Sequence, residues 1–288
     1  MPYDIFFVNL GIKIQHLQNH INVFGFSIAF YGIIIGIGML AGLQMAVMEA
    51  KRSGQNPELY MDFTVYAIFF AIIGARIYYV IFSWDSYKDD LIQVFNIRAG
   101  GLAIYGGIIA AAITLYVFSR IKKTKFLTMA DTTVLGLVTG QIIGRWGNFF
   151  NAEAFGGYTN NIFAMQIRKD IVNSNMLNKD VLNHIIQVGN TSYIQVHPTF
   201  LYESAWNLAL LIFMLWYRSK KKFEGELFFI YLGGYGLGRA LIEALRTDSL
   251  LLPGTNLAVS QLLACACILG AVLGIYLGRK QLKKSVSK

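Results

Sequence analysis

The sequence predicts an all-α polytopic membrane protein: seven transmembrane helices, N-terminus outside, C-terminus cytoplasmic, and a small extracytoplasmic cap between helices 4 and 5. Three observations predict it. Hydrophobic residues make up 55% of the 288 positions and charged ones 14%, well under the roughly 25% of soluble domains. Mean hydropathy is +0.49, and seven apolar stretches reach the length of about 20 residues that a helix needs to cross a hydrocarbon core. The basic residues gather between those stretches on one side, which is the topology signal of an integral membrane protein. The net charge of +9 is therefore read as anchoring beside anionic lipid and not as a nucleic-acid footprint.

The seven stretches lie near 24–48, 63–83, 100–119, 128–147, 200–217, 225–245 and 257–277. Lys51, Arg52, Arg120, Lys122, Lys123, Lys125, Arg218, Lys220–Lys222, Arg279, Lys280, Lys283, Lys284 and Lys288 put fifteen cations on one side. Lys13, Lys88, Arg98, Arg168, Lys169, Lys179 and Arg246 put seven on the other, spread through longer loops. The N-terminal "MPYDIFFVNLGIKIQ" has neither the charged start nor the small-residue cleavage site of a signal peptide. His16 and His20 belong to this amphipathic stretch and are read as interfacial. The whole chain, 1–288, forms one membrane-embedded domain, and the connection 149–199 is its cap. Within it "TSYIQV" alternates like a strand, "KDVLNHII" reads as a helix, and His184 is read as solvated. Cys265 and Cys267 sit two apart in an apolar segment with no Cys/His cluster beside them, so they are read as small hydrophobes.

Charge inside a membrane helix is costly and marks a site or an internal pair by default. At 1.5 Å per residue, the second stretch places Arg76 about 20 Å up from its inner end, and the sixth places Arg239 at about 21 Å with Glu243 one turn higher. Tyr31 and Tyr105 come out about 10 Å and 7–8 Å below the outer surface. Arg145 stands near the outer end of the fourth stretch. Five helices thus send strong polar groups to the outer half of the bilayer. Arg239 and Glu243, at i and i+4, can pair, either as a tie between helices or as part of a site. Arg76 in "GARIYYV" can snorkel or bind. Arg145 lies in "GRWGNFFNAEAFGG", where glycines let backbone come close and Asn148, Asn151 and Glu153 can orient the guanidinium. Its planar fork of donors suits a phosphate, and at a membrane interface that means a phospholipid headgroup. In "HPTFLYE", His197 opens the fifth helix or touches substrate, while Tyr202 and Glu203 bond to neighbouring helices. The glycines of "GGLAIYGG" are explained by close helix packing, and Tyr105 between them is a ligand, an acid–base group or neither.

Several chemistries are missing from the sequence. It has no HExxH, GxSxG or P-loop motif and no aspartate cluster for magnesium; no metal or cofactor is expected. What it does contain resembles the bacterial prolipoprotein diacylglyceryl transferases. Gly144–Gly156 satisfies every fixed position of their pattern Gly-Arg-x-Gly-Asn-Phe-x-Asn-x-Glu-x-x-Gly. "FYG" with Tyr31, "GARIYYV", "GGLAIYGG", "HPTFLYES" and "GYGLGRALIEALR" with Arg239, Glu243 and Arg246 extend the likeness over nearly the whole chain. One position departs: Tyr105 stands where many members carry a histidine proposed as a base.

The resemblance implies transfer of a diacylglyceryl group from phosphatidylglycerol to the lipobox cysteine thiol of prolipoproteins in the bacterial cell membrane. A thioether forms and glycerol-1-phosphate leaves. It implies Arg145, Arg239, Tyr105 and Glu243 as catalytic candidates, the two arginines on the phosphate and Glu243 or Tyr105 assisting proton removal. Tyr31, Arg76, Asn148, Asn151, Glu153, Gly156, His197, Glu203 and Arg246 join Arg145 as substrate-binding candidates. The rival reading is a membrane transporter with a buried anion site, but it predicts inverted repeats, which the sequence lacks.

Overall fold

The computed structural model describes residues 4–97, 100–247, 252, 254 and 258–286. Arg98, Leu257 and Lys288 of the charge and span assignments lie outside the described residues. The chain divides into two compact units, residues 43–134 and residues 1–42 with 135–288.

The long helices are α1 (Phe30–Arg52), α2 (Pro57–Phe82), α3 (Ile104–Ile121) and α4 (Phe126–Phe150), then, after the short α5 (Lys179–Asn183), α6 (Thr199–Tyr217), α7 (Glu226–Glu243) and α8 (Val259–Val286). Among the described residues six of these, all but α7, are long and apolar enough to cross a membrane. Helix α7 fills the sixth expected span, but its 18 residues include Glu226, Arg239 and Glu243, too much charge for composition alone to place it in lipid.

In the 43–134 unit, Pro57 at the first turn and the Asn56 side chain, which accepts from the Glu58 N–H, start α2, as capping predicts. Helices α2 and α3 then approach until backbone meets backbone. A Cβ on Gly106 would run into the Gly74 carbonyl and the Tyr78 side chain. We expect Gly106→Leu to force the helices apart at a cost of about 1–3 kcal/mol, read as a lowered melting temperature in detergent.

The other unit corrects the all-α expectation, because it carries a sheet. Strands β1 (Ile5–Phe7), β2 (Ile12–Ile14), β5 (Met165–Arg168), β6 (Ile186–Val188) and β7 (Thr191–Val196) form one sheet in the order β2-β1-β5-β7-β6. Every neighbouring pair is antiparallel. The strand expected at "TSYIQV" is β7, whereas "KDVLNHII" splits into α5 and β6. Ile5, Ile167 and Ile194 lie in register across three strands. They pack in one core with Phe149 of α4, Phe155 and Phe200 of α6, which fixes the sheet over the ends of those two helices. Arg168 pairs with Asp4 at 2.8 Å, closing the N-terminal segment onto β5.

The first expected span also starts too early. Residues 24–29 are not helical: β3 (His20–Val23) and β4 (Phe26–Ala29) make a separate two-stranded hairpin. Phe24 and Gly25 turn it with φ of 48° and 83°, and α1 begins at Phe30.

Candidate active site

Glu203, in the second turn of α6, collects three guanidinium groups. Arg145 of α4 approaches its Oε2 at 2.5 Å, Arg239 of α7 its Oε1 at 3.2 Å, and Arg246, just past α7, the same Oε1 at 3.3 Å. Arg239 also pairs with Glu243 one turn on, at 2.6 Å. The carboxylate side chains are 5% and 3% exposed and the three arginines 11–19%, so the charges interact in a mostly desolvated setting where they count for more than in water. Among the described residues the cluster brings together three guanidinium groups and two carboxylates. The expected Arg239–Glu243 pair is present, and it belongs to a larger assembly.

Local packing explains how α1, α4 and α6 deliver these groups. The Ser204 hydroxyl donates to the Ile142 carbonyl at 2.9 Å, tying the start of α6 to α4. A Cβ on Gly147 would lie 2.8 Å from the Tyr31 ring, so this glycine, two residues after Arg145, is what lets the first turn of α1 lie against α4.

Beyond the helix ends a short backbone ladder holds the arginine-bearing segments together. Gly156 N–H donates to the His197 carbonyl at 2.9 Å, His197 N–H to Gly157 at 3.0 Å, and Gly157 N–H to Leu245 at 2.9 Å. Gly156 also forms a bridge with Arg246. A Cβ there would sit 2.6 Å from the Leu245 carbonyl and 2.8 Å from the His197 Cβ. Gly156, expected among the substrate contacts, therefore has a packing reason of its own. Gly156→Ala is expected to disrupt the ladder and destabilise the protein by about 1–3 kcal/mol, measurable as a drop in thermal stability.

The polar groups after Arg145 act differently from the expectation that they orient its guanidinium. Asn148 and Asn151 both donate to Glu153 Oε1, at 2.9 and 3.4 Å, and the partner of Arg145 is Glu203. Ala152 and Ala154, on either side of Glu153, have φ of 48° and 53°, a left-handed conformation that non-glycine residues adopt at a cost. Such strain at a polar residue is typical of a binding site. His197 contacts the Tyr202 hydroxyl at 3.3 Å, and Asn161 donates to the same hydroxyl at 3.0 Å. Burial pushes the His197 ring below its usual value of 6.5, so it is neutral at pH 7.

Arg76 and Tyr105 belong to the 43–134 unit. Arg76 donates through Nε to Val94, through Nη1 to Gly100 and Gly101, and through Nη2 to Gln93 and Asn96, all main-chain carbonyls at 2.6–3.2 Å. All five of its N–H groups are spent on one loop, which Gly100 and Gly101 turn with φ of 89° and 79°. That geometry makes Arg76 a loop clamp and leaves no donor for a phosphate. Tyr105 is half-buried and lies 6.4 Å, ring to ring, from Tyr78.

The sequence has Glu203 bonding to neighbouring helices, as it does through Arg145 and Arg239, and the resemblance implies a substrate contact, but neither singles it out as the hub. The available signal was its place in α6, one turn into an apolar helix where an acid is expensive. Chemically, the cluster offers many directed N–H donors in a low-dielectric setting, the means of holding a phosphate oxyanion.

The family described as prolipoprotein diacylglyceryl transferase matches residues 18–277. A relative from Clostridioides difficile (strain 630) is 39% identical over 92% of this chain and 97% of its own. One from Finegoldia magna is 40% identical over 93% and 98%, and one from Halalkalibacterium halodurans 40% over 86% and 81%. All three are named phosphatidylglycerol–prolipoprotein diacylglyceryl transferase.

Proposed function

This chain belongs to the prolipoprotein diacylglyceryl transferase family, and from that premise we propose how its residues carry the reaction. The enzyme transfers the diacylglyceryl group of phosphatidylglycerol to prolipoproteins, with the lipobox cysteine as acceptor. The thiol must first lose its proton, because the thiolate is the nucleophile. The sulfur then attacks the glyceryl carbon that carries the phosphate. The carbon–oxygen bond breaks, a thioether forms, and the electron pair leaves on the phosphate oxygen of glycerol-1-phosphate.

Negative charge therefore grows on the phosphate as the bond breaks, and the arginine cluster is the group that answers it. Arg145 and Arg239 hold the phosphate. Glu203 and Glu243 hold the arginines, and Arg246 completes the set. Tyr31, against Gly147, and the Asn148–Asn151–Glu153 constellation line the approach. Tyr105 or Glu243 assists proton removal. Arg76 serves through the loop it clamps. Seven crossings, an external N-terminus and a site facing the outer leaflet complete the reading, supported by the asymmetry of the basic loops.

The observation that carries this assignment is the convergence of Arg145, Arg239 and Arg246 on one buried carboxylate. The test uses the purified protein in vesicles containing phosphatidylglycerol with a lipobox peptide. The cysteine is expected to gain the mass of one diacylglyceryl group. An unchanged peptide mass, as a transporter or scaffold would leave, overturns the reading.

A further inference from the structure

The β3–β4 hairpin has a two-sided character that the transferase reading does not use. Its pairs are His20 with Ala29, Ile21 with Ile28, Asn22 with Ser27, and Val23 with Phe26. Side chains alternate faces along a strand and cross-strand partners share a face. One face is therefore Ile21, Val23, Phe26 and Ile28, and the other His20, Asn22, Ser27 and Ala29. The four apolar side chains are all exposed, Phe26 to 75%, and Phe24 at the turn is 98% exposed. A patch like this on a protein surface marks an interaction site.

We propose that this hairpin is a membrane-interface finger whose Ile21–Val23–Phe26–Ile28 face and Phe24 tip lie in lipid. Two further observations choose lipid as the occupant. The hairpin runs into α1 without a linker: β4 ends at Ala29, α1 begins at Phe30, and the Phe30 N–H donates back to the Asn19 carbonyl at 2.9 Å. Because α1 is long and apolar enough to cross a membrane, a crossing by α1 holds the ribbon at the bilayer boundary. In addition, no Asp, Glu, Lys or Arg occurs between Lys13 and Glu49, so no charge opposes burial in the interface.

The depth is limited by the backbone. A two-stranded ribbon has two edges of unpaired N–H and C=O groups, which cannot enter the hydrocarbon core unsatisfied. The ribbon therefore lies at the headgroup–acyl boundary, polar face toward water, with Phe24 as its deepest point. The inference rests on the membrane span and on the hairpin itself, and it stands whatever the reaction.

The test places a nitroxide on one cysteine at a time, Phe24→Cys or Ser27→Cys, in the full chain with Cys265→Ser and Cys267→Ser. The protein is reconstituted in phosphatidylcholine–phosphatidylglycerol vesicles. Collisions with oxygen, which partitions into lipid, are compared with collisions with a water-soluble nickel chelate. Position 24 is expected to favour oxygen and position 27 nickel; Phe26→Cys, expected to behave like 24, serves if the tip variant does not fold. Nickel accessibility at 24 and 26 equal to that at 27 overturns the proposal in favour of a solvated ribbon. Shielding of 24 and 26 from both reagents overturns it in favour of a docked protein, either a second copy or a peptide added to the strand edge.

Discussion

Glu203→Ala is expected to lower stability by about 3–5 kcal/mol, the range for removing one partner of a buried ion pair. The size follows from how many charges this carboxylate answers. Arg145, Arg239 and Arg246 all reach it within 2.5–3.3 Å, and its side chain is only 5% exposed. Without it, Glu243 is the only carboxylate left among the five clustered groups, beside three arginines. Mutual repulsion then separates α4 from α7, and the transfer reaction is lost with the geometry. Glu203→Gln keeps the shape and one acceptor oxygen but not the charge, so it is expected to fall between wild type and alanine. Thermal unfolding in detergent checks the order. Equal melting temperatures for all three proteins would mean that water already answers these charges.

How much of this was legible in the sequence depends on how far apart the partners lie along the chain. Arg239 and Glu243 are one helical turn apart, so their pairing could be read from spacing. Glu203 pairs with residues 36, 43 and 58 positions away in other segments, and periodicity within one segment says nothing of such contacts. Arg76 shows the converse limit. An arginine in an apolar helix looks like a site, but the five carbonyls that take its donors belong to residues 93–101, and no side-chain motif announces them. Apart from β7, the strands escape the sequence for a related reason. Ile5–Phe7 is three residues long, too short for a periodic signal, and its partner β5 lies about 160 positions on. The hairpin's turn and β4 read as the start of the first span because "FGFSIAF" is as apolar as the helix that follows.

Arg145→Ala should separate catalysis from folding, because it changes the charge balance in the opposite direction. Removing this one cation leaves Arg239 and Arg246 still on Glu203 and Arg239 still on Glu243. No carboxylate is left unpaired, so the protein is expected to insert and to melt near the wild-type temperature. The transfer rate is expected to fall about 10²–10³-fold, the usual cost of deleting one donor to a developing oxyanion. Arg145→Lys is expected to recover only part of that loss, since an ammonium lacks the planar fork that spans two oxygens of a phosphate or carboxylate. Rates are read as diacylglyceryl-peptide formed from phosphatidylglycerol vesicles, beside a melting curve of each variant. A variant that folds normally and transfers at the wild-type rate would remove Arg145 from the phosphate and leave it as a tie on Glu203.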